Sequence, residues 1–155
     1  MLHNWFLCRI KYDKLMENGM NKKVTESYLV DAMSHTEAEA RIIEEIKFYI
    51  SDEFTVAGIV PSHFSEVFFS DEEKSDRWFK CRLAFITLDE KNGTERRTSS
   101  NVLVNASDLR DAVKKLDDGM RGSMADYVIC SIAETPIMDV YPYSIDNECN
   151  EEFLD

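Results

Sequence analysis

Two tryptophans with basic residues close behind them are the side chains best placed to hold a ligand in this sequence. Arg9 follows Trp5, and Lys80 and Arg82 follow Trp78. In an extended chain, residues two and four apart point to the same face. An indole beside a guanidinium can stack a planar anionic group, such as a nucleotide base with its phosphate. Large aromatics at matched positions also mark shared core, with the basic side chain lying over the ring, and that reading is favoured. If the faces are open, the ligand-binding residues are Trp5, Arg9, Trp78, Lys80 and Arg82.

No other residues form a catalytic or metal-binding pattern. His3, His35 and His63 have no zinc-protease or deaminase context and are expected to be solvated or to pack. Glu37, Glu39, Glu44 and Glu45 lie near Arg41 at spacings that make ordinary helix-surface pairs. There is no nucleophile elbow, and five glycines leave none to spare for a phosphate-binding loop. Cys8, Cys81, Cys130 and Cys149 include no CxxC pair, so no metal and no cofactor is expected. Three of these cysteines sit in apolar strand patterns and are expected to be reduced core thiols. The net charge of −12 argues against direct contact with a nucleic-acid backbone. It leaves mimicry of nucleic acid as a minor alternative.

The elements that would carry the two tryptophans repeat. Trp5-Phe6-Leu7-Cys8-Arg9-Ile10 matches Trp78-Phe79-Lys80-Cys81-Arg82-Leu83 at a shift of 73 residues. Asn18-Gly19 matches Asn92-Gly93, Lys22-Lys23 matches Arg96-Arg97, and Tyr28–Ala32 matches Val102–Ala106, all at 74. Ile42, Ile43, Ile46 and Ile50 are paired with Ala112, Val113, Leu116 and Met120 at a shift of 70. Glu53–Val56 matches Asp126–Ile129, and Glu66–Phe68 matches Asp139–Tyr141, again at 73.

Each copy reads as ββαβ. An alternating strand places Phe6, Cys8 and Ile10 on one face. The Asn-Gly dipeptides turn a hairpin into a second strand. A helix then starts from a Ser34 or Thr36 cap, and its counterpart from Ser107. Gly119 and Gly122 offer stops for the second helix. A closing strand comes last, divided by Pro61 in one copy and by Pro136 in the other. The expected fold is α+β, mainly antiparallel sheet with two helices. Two tandem ββαβ repeats pack about a pseudo-two-fold axis as a single domain over residues 1–143. Repeat one is 4–69, the linker 70–77 and repeat two 78–143. Residues 144–155 read as an acidic flexible tail.

Several segments carry a family resemblance: Asn4-Trp5-Phe6-x-Cys8, Lys22–Glu26, Tyr28–Ala32, Thr36–Arg41, Arg77–Cys81 and Glu134–Val140. From Asn4 to Tyr143 the chain resembles a family of uncharacterised proteins of about this length from gut bacteria, their phages and mobile elements. The resemblance implies a phage or mobile-element setting and supplies no catalytic residues. With no signal peptide and no apolar run long enough to span a bilayer, the chain is expected in the cytoplasm and away from membranes. The expected function is that of a non-enzymatic accessory protein binding a partner protein or a small ligand. The alternatives are a module that sequesters a nucleotide-like ligand, and an enzyme whose site forms only in the fold.

Overall fold

A computed structural model describes residues 4–50, 53–123 and 125–143, so the tail assigned to 144–155 lies outside the described residues, as do His3 and Cys149. The fold is α+β, with two four-stranded, largely antiparallel sheets and two helices. Among the described residues no helix is long and apolar enough to cross a membrane. The chain divides into two compact units, residues 1–62 with 139–155, and residues 63–138.

In the first unit β1 (Trp5–Leu15) pairs antiparallel with β2 (Asn21–Asp31) through a turn in which Gly19 takes a φ of 82°. Only glycine adopts this geometry without strain, as the Asn-Gly dipeptide anticipates. Helix α1 (His35–Ile46) comes next, then β3 (Phe54–Ser62) on the other side of β1. Cys8, Ile10, Tyr28 and Val30 face Ile42 and Ile46 across the sheet–helix layer. The period-2 pattern of the strands thus meets the i, i+4 pattern of the helix, which buries both apolar faces.

In the second unit β5 (Arg77–Asp89) and β6 (Thr94–Ala106) form a longer hairpin, again with a left-handed glycine, Gly93. Helix α2 (Leu109–Met120) and β7 (Asp126–Thr135) complete it. Phe79, Cys81, Leu83, Val102 and Val104 pack on Ala112 and Leu116. Each outer strand carries a bulge at a matching place. Pairing slips between Arg9 and Ile10 opposite β3, and between Arg82 and Leu83 opposite β7.

Several sequence expectations are corrected. The helices match at a shift of 74, not 70. Ser34 caps α1 by accepting the Glu37 amide, and Asp108, not Ser107, caps α2 by accepting the Asp111 amide. Buried Ala38, Ile42 and Ile46 then correspond to Ala112, Leu116 and Met120. Helix α1 also ends at Ile46, so Ile50 lies beyond it and is buried from the next turn. Finally, Pro61 does not divide the first closing strand; it sits in edge strand β3 opposite Phe6, where a missing N–H need not break the ladder.

Two short strands, β4 and β8, join sheets whose other strands are distant in sequence. β4 (Glu66–Phe68) runs parallel to β6 at Val102–Val104. β8 (Ile137–Tyr141) lies beside β2, giving orders β3-β1-β2-β8 and β4-β6-β5-β7. Gly119 fits this arrangement, because a Cβ there would stand 2.9 Å from the Phe68 ring. It therefore sits inside α2, and the left-handed glycine just past the helix is Gly122.

The cap assignment is testable. Asp108→Ala should lower the urea unfolding free energy by about 1 kcal/mol, and Ser107→Ala by clearly less. The reverse ranking would place the cap at Ser107.

Candidate functional site

The two indoles are buried. Trp5 is 3% exposed and Trp78 4%, whereas Arg9, Lys80 and Arg82 are exposed. Trp78 receives the Phe69 ring edge-on at 5.5 Å between centroids. A base could stack on either indole only after the side chains over it had moved. The basic residues therefore share a sheet face with the tryptophans without forming a stacking surface with them. Cys8 and Cys81 are buried free thiols, and burial pushes them up to about 12 and about 11, so they stay protonated. Cys130 is exposed.

His35 is exposed, with Nε2 2.9 Å from the Ile59 carbonyl oxygen, and His63 is exposed. Among the described residues no three His, Cys, Asp or Glu side chains come together as a metal site. A cleft of about 780 Å³ in the first unit is lined by Lys11, Tyr12, Lys23, Glu53 and Phe54. Its Tyr12 hydroxyl donates to Glu26, and that hydrogen bond, with lesser burial, raises the phenol to about 12.

The most connected polar group is one that the sequence pattern presents as plain surface pairing. In each unit the third helical residue and the one four places on hold the chain just past the short strand. In the first unit Arg41 donates to the Asp31 carbonyl and, at 3.0 Å, to the Pro142 carbonyl. Its guanidinium lies 4.9 Å from the centre of the Tyr143 ring, and the Tyr143 hydroxyl donates to Glu37. Glu37 also accepts the Met33 amide. In the second unit Asp111 accepts the Ser107 amide, and Lys115 takes the place of Arg41. Lys115 Nζ is 2.9 Å from Asp111, 2.9 Å from Ser70, 2.6 Å from Ser75 and 3.2 Å from Glu72.

Buried Asn105 completes the second clamp. Its amide donates to the carbonyls of Ser75 and Arg77 and accepts the Ser70 amide. The polar linker of the sequence is thus pinned along its length, with a cleft of about 400 Å³ beside Lys115. Burial works against the Lys115 charge, but the hydrogen bonds it donates to Asp111 and Glu72 outweigh it and the pKa rises. A lysine ammonium held by these four hydrogen bonds is a poor nucleophile. The Lys115 hydrogen bond, helped by the Ser107 amide, holds Asp111 at about 2.

Apolar side chains are exposed at Met33, Phe48 and Tyr49 around α1 and also on the far halves of the hairpins. Leu15, Met16 and Met20 are exposed at the first tip and Leu88 near the second. Strand β6 is exposed from Thr94 to Ser99, including Arg96 and Arg97. Each unit is a helix-backed, largely antiparallel four-stranded sheet with a long hairpin. The chain belongs to the family of a domain of unknown function, DUF4494, which matches residues 4–143. It matches no curated protein and no solved structure.

Burial of the indole and the Asp111–Lys115 contact can each be checked by unfolding. Trp78→Ala should cost about 3–5 kcal/mol in urea unfolding, as removal of a buried indole does; a loss near zero would mean that the ring is a surface group. Asp111 gives stability that is full above the ordinary carboxylate value and lost as the pH falls towards 2, because its folded pKa is depressed. The stability gap between the wild type and Asp111→Asn should therefore be widest near neutrality and close across that window. A gap independent of pH would show that the carboxylate charge is not what holds Lys115.

Proposed function

We propose that this protein is a non-enzymatic accessory protein of a phage or mobile element that acts in the cytoplasm by binding a partner protein. The observation that supports the binding reading is the surface of the hairpin in each unit. The far halves expose apolar side chains, Leu15, Met16, Met20 and Leu88, next to the basic pairs Lys22-Lys23 and Arg96-Arg97. Apolar and cationic groups side by side on an exposed strand suit a protein surface better than a small molecule. The phage or mobile-element setting rests on the family resemblance alone. The free, buried thiols of Cys8 and Cys81 support a reducing compartment.

A nucleotide-like ligand has less support, because the indoles that would stack its base are buried. Enzymatic use of Lys115 or Asp111 has little support either, since their charges are spent on each other and on the linker.

Lysine cross-linking in the host cell, read out by mass spectrometry, tests the reading. Cross-links to one partner should concentrate at Lys14, Lys22, Lys23 and Lys91 on the hairpins. Cross-links spread evenly over all exposed lysines, or none to any protein, would overturn it.

A further inference from the structure

We propose that the open edge of β6, from Thr94 to Ser99, is a docking site for an extended acidic segment of a partner protein, which adds to the sheet as a further strand. The inference rests on the protein-binding reading and names the class of partner.

The edge is set by the register. β6 pairs with β5 along its whole length, from Thr94 opposite Asp89 to Ala106 opposite Arg77. On its other side β4 covers only Val102–Val104. The Asn101 carbonyl accepts the Ser65 amide, so Asn101 turns its main-chain groups away from β5. Pairing alternates along an antiparallel strand, so Ser99, Arg97 and Glu95 turn theirs the same way. Their amides and carbonyls form a row beside which no strand lies among the described residues. Six extended residues span about 20 Å, the length of an ordinary strand.

The side chains set the charge of the occupant. Arg96 and Arg97 are adjacent in an extended strand and so project to opposite faces. Both are exposed, and neither makes an ion pair among the described residues. Their neighbours on the closed side, Thr87 and Ile86, are uncharged. Glu95 offsets part of this charge, but the edge remains a cationic strip on a chain of net charge −12. Two copies of such an edge repel, a common protection against self-pairing. A strand with adjacent acids gains main-chain bonds and sets one carboxylate against each arginine.

The test uses the full chain and a fluorescent peptide, Thr-Val-Glu-Glu-Val-Thr, read by anisotropy and by amide chemical shifts. The peptide should bind, more weakly at high salt, and the shifts should centre on residues 95–99. A version with lysines for the glutamates, or with its backbone N-methylated on one edge, should not bind. The double variant R96E/R97E should bind about ten-fold or more weakly and prefer the lysine peptide. Ser99→Pro removes one outward N–H without touching the β5 ladder, so it should weaken binding while leaving the melting temperature in place. Absence of peptide binding overturns the site, as does binding that ignores N-methylation or charge reversal. If the peptide fails while hairpin cross-links to a partner persist, only the β6 assignment falls. If both fail, the protein-binding reading falls with it.

Discussion

A strand of three residues cannot hold itself in a sheet by its own ladder. β4 makes only the Glu66–Phe68 pairing with β6, and its place depends on how the next segment, Ser70 to Arg77, is held. Lys115, reaching from the middle of α2, binds Ser70, Glu72 and Ser75 at once, and Asn105 fixes the main chain on either side. Arg41 and Glu37 do the same for Pro142 and Tyr143 after β8. Charge-assisted bonds to a partly buried cation are among the stronger polar contacts in a protein. Here they let short segments, Phe68 and Tyr141 included, join cores far from their own repeats in sequence.

Much of this fold is legible in the sequence. The alternation of Phe6, Cys8 and Ile10 and the two Asn-Gly turns specify the hairpins, because they report on neighbours only a few residues away. The helix register is open to a one-turn error because Ile43 and Ile50 add apolar residues that fit either offset. Only the caps, Ser34 and Asp108, decide between them. The crossing of β4 and β8 is not legible. A lone Val67 between Glu66 and Phe68 has the same pattern whichever strand it lies beside, and pairings between distant residues leave no local mark.

The candidate site is legible in part for the same reason. Alternation puts Trp5 with Arg9 and Trp78 with Arg82 on one face, but whether an indole is covered depends on chain far away. Glu37–Arg41 and Asp111–Lys115 have the spacing of any solvated helix pair. What separates them from a surface pair is the segment each one grips, and that segment lies beyond the reach of a local pattern. The open β6 edge, too, depends on how far a distant three-residue strand extends.

The placing of β8 also sets the order in which the molecule can be made. Residues 5–62 supply three strands and a helix, yet the strand that closes their sheet beside β2 is Ile137–Tyr141. While the chain emerges from the ribosome, the outer side of β2 stays open until Ile137–Tyr141 has been synthesised. Meanwhile β4 waits for β6, which comes sooner. The second sheet can therefore be complete, apart from β7, while the first still lacks an edge. A nascent chain stalled or cut after the second hairpin would display β2 as an unsatisfied template, the state in which sheet proteins pair with the wrong strand.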